Sequence, residues 1–142
     1  MYTHIQVVFD AAEPARLADF WGLALGYVQE PPPPGFANWA DFARSINLPE
    51  EKWGDQASVV DPEDAGPRLY FQKVPEGKVA KNRVHLDVRV AIGLRGEERQ
   101  QRIEAHVAKL LDAGASVAWR TDNQLGQVVV MRDPEGNEFC VC

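Results

Sequence analysis

The chain has 142 residues, of which 45% are hydrophobic, and it carries a formal net charge of -6. This size and composition fit an ordinary globular domain and argue against disorder. The acidic balance argues against nucleic acid or an anionic membrane as a partner, because both attract basic surfaces. No signal-peptide pattern and no apolar run of membrane length is present, so the predicted location is the cytoplasm. A disulfide between Cys140 and Cys142 would be strained, and we expect reduced thiols.

The first third of the chain predicts a strand, a helix and a second strand. Residues 4–9 alternate in polarity, which is typical of a strand with one covered face. A helix follows, with Pro14 in its first turn and Gly26 as its stop. Residues 27–30 are the next short strand. The strand residues expected under the helix are Ile5, Val7 and Phe9, and Trp21 lies on the apolar stripe of the helix and is expected in the core.

Residues 31–55 are predicted to be an insertion that covers a pocket like a lid. Four prolines and Gly35 prevent regular structure at its start, and residues 38–46 predict a short helix. Trp39 and Trp53 need apolar neighbours that so short a segment does not provide by itself. They either pack onto the main body or cover a ligand, and the two roles are compatible.

A hairpin is predicted next, with strands at residues 57–60 and 68–74 and a turn at 61–66. Side chains on its second strand point alternately to opposite faces. One face carries Leu69 and Phe71, and the other carries Arg68, Tyr70 and Gln72.

The second half begins with a strand over residues 81–90 and continues with a helix over 97–113. Three further strands are predicted at 116–119, 127–131 and 138–141. Trp119 ends one of them and is expected in the core. The apolar face of the first strand is expected to carry Val84, Leu86, Val88 and Val90, and the helix stripe Ile103, Val107, Leu110 and Leu111.

The two halves repeat each other at low identity. His4 corresponds to His85, Gly26 to Gly114, and the tripeptide Asp-Pro-Glu occurs in both hairpin turns. Each copy is therefore a βαβββ module, one over about residues 1–76 and one over about 82–142, within a single α+β domain. Two such modules side by side predict a curved mixed sheet with helices on its convex side and a cup on its concave side. Strand alternation places these polar residues in the cup: His4, Gln6, Tyr70, Gln72, His85, Asp87, Glu138 and Cys140.

Five short segments carry a resemblance to a known family, and together they extend over essentially the whole chain. They are LADFW at 17–21, LG at 25–26, LYFQKVP at 69–75, NRVHLDV at 82–88 and DPEGNEF at 133–139. In these segments the chain resembles the vicinal oxygen chelate superfamily, which includes glyoxalase I, bleomycin-resistance proteins and extradiol dioxygenases. The closest resemblance is to its glyoxalase-like branch. It implies the duplicated fold and a ligand in the cup, and it allows a homodimer.

The resemblance also implies a position for a metal. Metal-dependent members take four ligands from the first and last strands of the two modules, and these positions hold His4, Gln72, His85 and Cys140. Gln72 and Cys140 replace carboxylates, so two imidazoles and an amide oxygen would hold Ni, Co or Zn only loosely, and a thiolate would favour Zn. A divalent Zn, Ni, Co or Fe ion is therefore one expectation. Glu138 would replace Cys140 if the last strand contained a bulge. The other expectation is two histidines that hydrogen-bond their neighbours without metal.

The resulting prediction is a glyoxalase/bleomycin-resistance-like protein that binds a small organic molecule and lacks glyoxalase I activity. The residues expected to contact the ligand are Trp39, Trp53, Tyr70, Gln6, Asp87 and Glu138. The alternative is a metal-dependent lyase, isomerase or dioxygenase of the same superfamily. A third hypothesis is a regulatory module that reports ligand occupancy to a partner chain.

Overall fold

The computed structural model describes residues 1–124 and 126–142, which form two compact units, Met1–Gly77 and Lys78–Cys142. The N-terminal unit contains strands β1 (Gln6–Ala11), β2 (Val28–Gln29), β3 (Gln56–Val60) and β4 (Arg68–Lys73). Its helices are α1 (Pro14–Leu25), α2 (Trp39–Ser45) and a short 3₁₀ helix (Glu50–Asp55). The C-terminal unit contains β5 (Asp87–Val88), α3 (Gly96–Asp112), β6 (Ser116–Asn123), β7 (Gly126–Arg132) and β8 (Glu138–Val141).

Both units have the same mixed sheet. The strand order is β1-β4-β3-β2 in the first and β5-β8-β7-β6 in the second. In each unit the first strand pairs in parallel with the last, and the remaining pairs are antiparallel. The predicted α+β fold with two βαβββ modules is therefore confirmed. The joining of the two sheets into one cup stays a prediction.

Helix α1 covers one face of the first sheet. It begins with Pro14, whose missing N–H costs nothing in the first turn, and ends at Gly26, which adopts a left-handed φ of 72°. Trp21 lies on its apolar stripe and is 1% exposed, as predicted. The ring of Phe9 lies 5.1 Å from that of Trp21 and is stacked at 5.0 Å on that of Phe71. This aromatic stack joins α1 to β1 and β4.

Helix α3 covers the second sheet with a narrower stripe. Ile103, Val107 and Leu110 are spaced one helical turn apart and are fully buried. Glu97 and Glu98 in its first turn favour the helix through its dipole. The buried strand residues below it are Val129, Met131, Phe139 and Val141. No helix in the described part of the chain is both long and apolar enough to cross a membrane.

The structure corrects several predicted core positions. The strand predicted at 81–90 is paired only at Asp87–Val88, and Val84 before it is 82% exposed. The strand predicted at 4–9 begins at Gln6 instead, and Ile5 is 73% exposed. Neither residue packs under a helix, because each lies before the paired part of its strand. Ile5 precedes Gln6, where the pairing of β1 with β4 begins, and Val84 precedes Asp87, where the pairing of β5 with β8 begins.

Two further core assignments are wrong. Trp119 does not end a strand in the core, because β6 continues to Asn123 and the indole is 43% exposed. The pairing of β6 with β7 shifts register between Val117 and Trp119, which is how a bulge redirects a strand. Leu111 is 42% exposed, since it follows Leu110 by only 100° on the helix and turns out of the buried stripe.

Candidate functional site

The insertion at 31–55 folds as a helix and a 3₁₀ turn that are held by local hydrogen bonds. Asn38 caps α2, because its side-chain oxygen accepts from the backbone N–H of Asp41 at 2.8 Å. The Arg44 guanidinium pairs with Asp41 at 3.0 Å and lies 5.1 Å from the ring centre of Trp53. The predicted short helix at 38–46 is confirmed to within one residue at each end.

Both tryptophans of the insertion are held by their indole N–H groups. Trp39 Nε1 donates to the carbonyl oxygen of Glu30 at 2.8 Å, which joins α2 to the end of β2. Trp53 Nε1 donates to the carbonyl oxygen of Leu48 at 2.9 Å. A tryptophan whose N–H is satisfied in this way presents mainly an apolar surface. The two rings are thus held in place by the carbonyl oxygens of Glu30 and Leu48.

A cavity of about 350 Å³ lies between the insertion and the sheet of the N-terminal unit. Its aromatic residues come from the insertion (Trp39, Phe42, Trp53) and from β4 (Tyr70). Small and aliphatic side chains from α1, α2 and the loop that follows complete the apolar wall. The polar residues of the wall are Gln29, Glu30, Gln56, Ser58 and Arg68. We call this space the aromatic cavity.

The polar side of the aromatic cavity is an ion pair. Arg68 donates to Glu30 Oε2 through Nε at 2.9 Å and through Nη2 at 2.6 Å. Ser58 Oγ donates to the same oxygen at 2.5 Å. The guanidinium also lies 5.1 Å from the ring centre of Tyr70, so the pair is joined to the aromatic wall. A pair of this kind gives the cavity polarity without net charge.

Glu30 is a carboxylate at neutral pH. Partial burial raises its pKa, but the hydrogen bonds from Arg68 and Ser58 and the charge of Arg68 lower it by more, so the net pKa is lower than usual. Its side chain can therefore accept hydrogen bonds and has no proton to donate.

The structure brings together three of the six predicted ligand contacts, namely Trp39, Trp53 and Tyr70. Gln6 is not in the cavity wall, and its side-chain oxygen accepts from Arg68 Nη1 at 2.8 Å. Arg68 and Glu30 were absent from the predicted contacts. The alternation that placed Tyr70 on the polar face of β4 also places Arg68 there, two residues earlier, and could have identified it.

A second group of chemically active residues lies in the C-terminal unit. One ligand atom from each of His85, Asp87 and Cys140 lies within 4.8 Å of the others. Asp87 and Cys140 are directly opposite each other across β5 and β8, and Cys140 N donates to the carbonyl oxygen of Leu86 at 3.0 Å. His85 lies two residues before Asp87 and reaches the same face. We call this group the His-Asp-Cys cluster.

The pKa of the Cys140 thiol is raised to about 11. Burial is the main cause, followed by the charge of Asp87 and a hydrogen bond to it. Burial also raises the pKa of Cys142, and Asp87 adds to this effect. Both cysteines are free thiols, and neither is activated as a nucleophile.

Glu138 is 9% exposed, and its carboxylate is enclosed by the segment that leads into β5. Its Oε2 accepts from the backbone N–H of Asn82 at 2.9 Å and pairs with Lys78 Nζ at 3.0 Å. The hydrogen bond from Asn82 is the largest cause that lowers its pKa to about 2, and Lys78 also contributes. These described partners give Glu138 a structural task, while its predicted contact with a ligand stays a prediction.

The predicted metal set is only partly brought together. Gln72 lies opposite Asp10 in the pairing of β1 with β4, and its Nε2 donates to Asp10 Oδ1 at 2.8 Å. Gln72 thus lies near the end of β1, whereas His4 precedes its first residue, Gln6. A metal shared by His4 and Gln72 stays a prediction. In the C-terminal unit, the predicted His85 and Cys140 do lie together, and Asp87 joins them.

The donor atoms of the His-Asp-Cys cluster fit a transition metal. An imidazole nitrogen, a carboxylate oxygen and a sulfur form a mixed set of the kind that Zn²⁺ accepts, with three protein ligands and an open position. Ligand atoms on a tetrahedral ion lie roughly 3.5 Å apart. Because the ligand atoms of the cluster lie up to 4.8 Å apart, they would have to move by about 1 Å to bind one ion.

Comparison with known proteins gives the same fold over the whole chain. A "glyoxalase-related enzyme" from Fulvimarina pelagi has a TM-score of 0.60 at 12% identity, covering 99% of this chain and 87% of that one. The fosfomycin resistance protein FosX from Mesorhizobium loti has a TM-score of 0.58 at 9% identity, covering 99% of this chain and 90% of that one. The bleomycin-binding protein of Streptomyces verticillus has a TM-score of 0.54 at 16% identity, covering 99% of this chain and 95% of that one. No curated protein matches the sequence.

These neighbours confirm the resemblance to the glyoxalase and bleomycin-resistance superfamily at the level of fold. The family model described as "Glyoxalase-like domain" matches residues 6–142, which is nearly the full chain. This chain therefore belongs to the glyoxalase-like domain family.

Proposed function

We propose that this protein binds a small, largely apolar organic molecule in the aromatic cavity. The observation that carries this proposal is the convergence of Trp39, Trp53 and Tyr70 on one space of about 350 Å³. That volume lies at the lower end of the roughly 300–1,000 Å³ of small-molecule sites, which are also mainly apolar with a few polar groups. A ligand of two or three fused rings matches this size.

The structure of the insertion supports the same proposal. An indole fixed by its N–H loses little conformational freedom when a ligand stacks on it, so the gain in free energy is not offset by ordering. Trp39 is 43% exposed although its N–H is bonded, which leaves apolar ring surface in contact with water. A bound ligand would cover that surface. One structural neighbour, the Streptomyces protein, is described as bleomycin-binding, so this fold is compatible with binding a small molecule.

Calorimetric titration with a panel of fused-ring aromatic compounds tests the proposal. We expect at least one compound to bind with a stoichiometry of one per chain and a negative heat-capacity change, which is the mark of apolar burial. A panel of broad chemistry that produces no saturable heat would contradict the proposal.

We further propose that the protein lacks glyoxalase I activity and works in the cytoplasm. In the metal-dependent members that the chain resembles, the last strand of each module supplies a carboxylate, and a carboxylate normally serves as the base of that reaction. Strand pairing puts Arg68 and Cys140 at corresponding positions of β4 and β8, and neither is a carboxylate. The free thiols of Cys140 and Cys142 fit a reducing compartment. Assembly as a homodimer stays a prediction.

A second candidate function, a metal-dependent lyase, isomerase or dioxygenase, is favoured by the His-Asp-Cys cluster. His85, Asp87 and Cys140 would hold a divalent ion, and the ion would supply Lewis acidity to a bound oxygen. Asp87 would also orient the site, because it already contacts Cys140. The cluster and the aromatic cavity are independent observations, so either function can be tested without the other.

Zinc binding tests the second candidate. We expect untagged protein to take up one equivalent of Zn²⁺ and His85→Ala to lower that affinity at least tenfold, because one of three ligands is removed. His106→Ala, on α3, is the control and should bind zinc as the parent does. A parent protein that binds no metal, or a His85→Ala variant that binds it unchanged, would rule out the cluster as a metal site.

A further inference from the structure

The hydrogen-bonding groups of the aromatic cavity are unevenly used, and this difference constrains the chemistry of the ligand. The indole N–H groups of Trp39 and Trp53 both donate to backbone carbonyls. Ser58 Oγ donates to Glu30, and Gln29 Nε2 donates to Asp19 Oδ1 at 3.0 Å. Four donors of the cavity wall are thus already committed to acceptors in the protein, and Arg68 uses three of its five N–H groups on Glu30 and Gln6.

The acceptor side of the same wall has spare capacity. The three hydrogen bonds that the Glu30 carboxylate receives from described side chains all end on Oε2. Its other oxygen, Oε1, keeps two lone pairs, and the residue lies in the cavity wall. Gln56 and Tyr70 also lie in the wall, but an amide and a phenol hydroxyl both donate and accept and so favour neither class of ligand.

The charge of the cavity wall favours an uncharged ligand. Glu30 and Arg68 neutralise each other at 2.6 Å, and they are the charged residues among those lining the cavity. Neither charge is left unbalanced to offset the cost of removing an ionised ligand from water. An anionic ligand would in addition meet a chain of net charge -6.

We propose that the aromatic cavity selects an uncharged, flat aromatic compound with an O–H or N–H group, which donates to Glu30 Oε1. This inference rests on the proposed function and adds the ligand class. The rings lie against Trp39, Trp53 and Tyr70, and the donor group points to the carboxylate. Phenols, naphthols and amino-substituted heteroaromatic rings that are neutral at physiological pH belong to this class, whereas aromatic carboxylates do not.

Three compounds on one ring system test the proposal by calorimetry: naphthol, naphthalene and naphthoate. We expect naphthol to bind about tenfold more tightly than naphthalene, since one hydrogen bond to a charged acceptor contributes about that factor. Naphthoate should bind more weakly than naphthol. The preference for naphthol should fall to about threefold or less in Glu30→Gln, whose amide presents a donor in place of the free oxygen.

One variant serves as the control. Glu63→Gln, in the exposed turn after β3, removes one negative charge outside the cavity and should keep the tenfold preference. Equal affinities for naphthol and naphthalene, or tighter binding of naphthoate, would overturn the inference and leave the proposed function standing. If none of the three compounds bound, both the inference and the proposed function would be contradicted.

Discussion

Replacing Glu138 with glutamine should lower the free energy of unfolding by about 3 kcal/mol at neutral pH. The carboxylate is 9% exposed, and its pKa in the folded protein is about 2, against 4.5 for an ordinary glutamate. Each unit of that difference corresponds to about 1.4 kcal/mol of preference for the charged form in the folded state. The variant also leaves the ammonium of Lys78, whose side chain is 19% exposed, without its anionic partner.

The pH dependence of this effect has a definite sign. Because the pKa of Glu138 is lowered in the folded state, its carboxylate stabilises the protein fully above about pH 4.5. This contribution is lost as the pH falls towards about 2. The difference in stability between parent and variant should therefore be largest at neutral pH and shrink through that acidic range. Urea unfolding at several pH values measures it, with the exposed Glu76→Gln as control. A loss below about 0.5 kcal/mol at neutral pH would show that Glu138 behaves as a surface residue.

Replacing Trp39 with alanine should raise the dissociation constant of an aromatic ligand about 30-fold or more. Truncating a central aromatic residue in a binding site commonly costs about 2 kcal/mol, which corresponds to that factor. Trp39 contributes both ring surface and the hydrogen bond that holds α2 to Glu30. Trp39→Phe keeps the aromatic surface and loses the hydrogen bond, so its effect should be smaller. Calorimetry gives the constants without relying on tryptophan emission.

Trp119→Ala is the matched control, because Trp119 is also 43% exposed and lies on β6 of the other unit. Its affinity should equal that of the parent within about twofold. Tyr70→Leu changes the cavity from the β4 side and leaves the insertion at 31–55 unaltered. It should weaken binding too, so the test does not depend on whether Trp39→Ala disturbs the insertion. Unchanged affinity in both Trp39→Ala and Tyr70→Leu would place the ligand elsewhere.

Much of the fold follows from periodicity in the sequence. Alternation in residues 68–74 and the helical stripe after Pro14 depend on local geometry, and the structure agrees with both. The extent of strand pairing does not follow from periodicity. Val84 alternates correctly with its neighbours, yet β8 pairs with β5 only at Asp87 and Val88, so the residues before them have no covering layer. Their exposure depends on the length of a strand more than 50 residues away.

The candidate site shows the same limit. Trp39 and Trp53 could be predicted because large aromatic side chains in a short insertion need apolar neighbours. The bond between Glu30 and Arg68 joins residues that are 38 positions apart, and single-sequence reasoning offers no rule that pairs them. Strand register is a related limit: it sets Gln6 opposite Arg68 and Asp87 opposite Cys140, so Arg68 is the structural counterpart of Cys140.

The position of a bound ligand can be read directly from the four indole N–H resonances in heteronuclear NMR spectra of isotopically labelled protein. Single tryptophan-to-phenylalanine variants assign the resonances to Trp21, Trp39, Trp53 and Trp119. Titration with a binding compound should move the resonances of Trp39 and Trp53, which line the aromatic cavity. The resonances of Trp21, buried between α1 and the sheet, and of Trp119, on the other unit, should stay in place. Shifts confined to Trp21 or Trp119, with Trp39 and Trp53 unmoved by a saturating ligand, would contradict binding in the aromatic cavity.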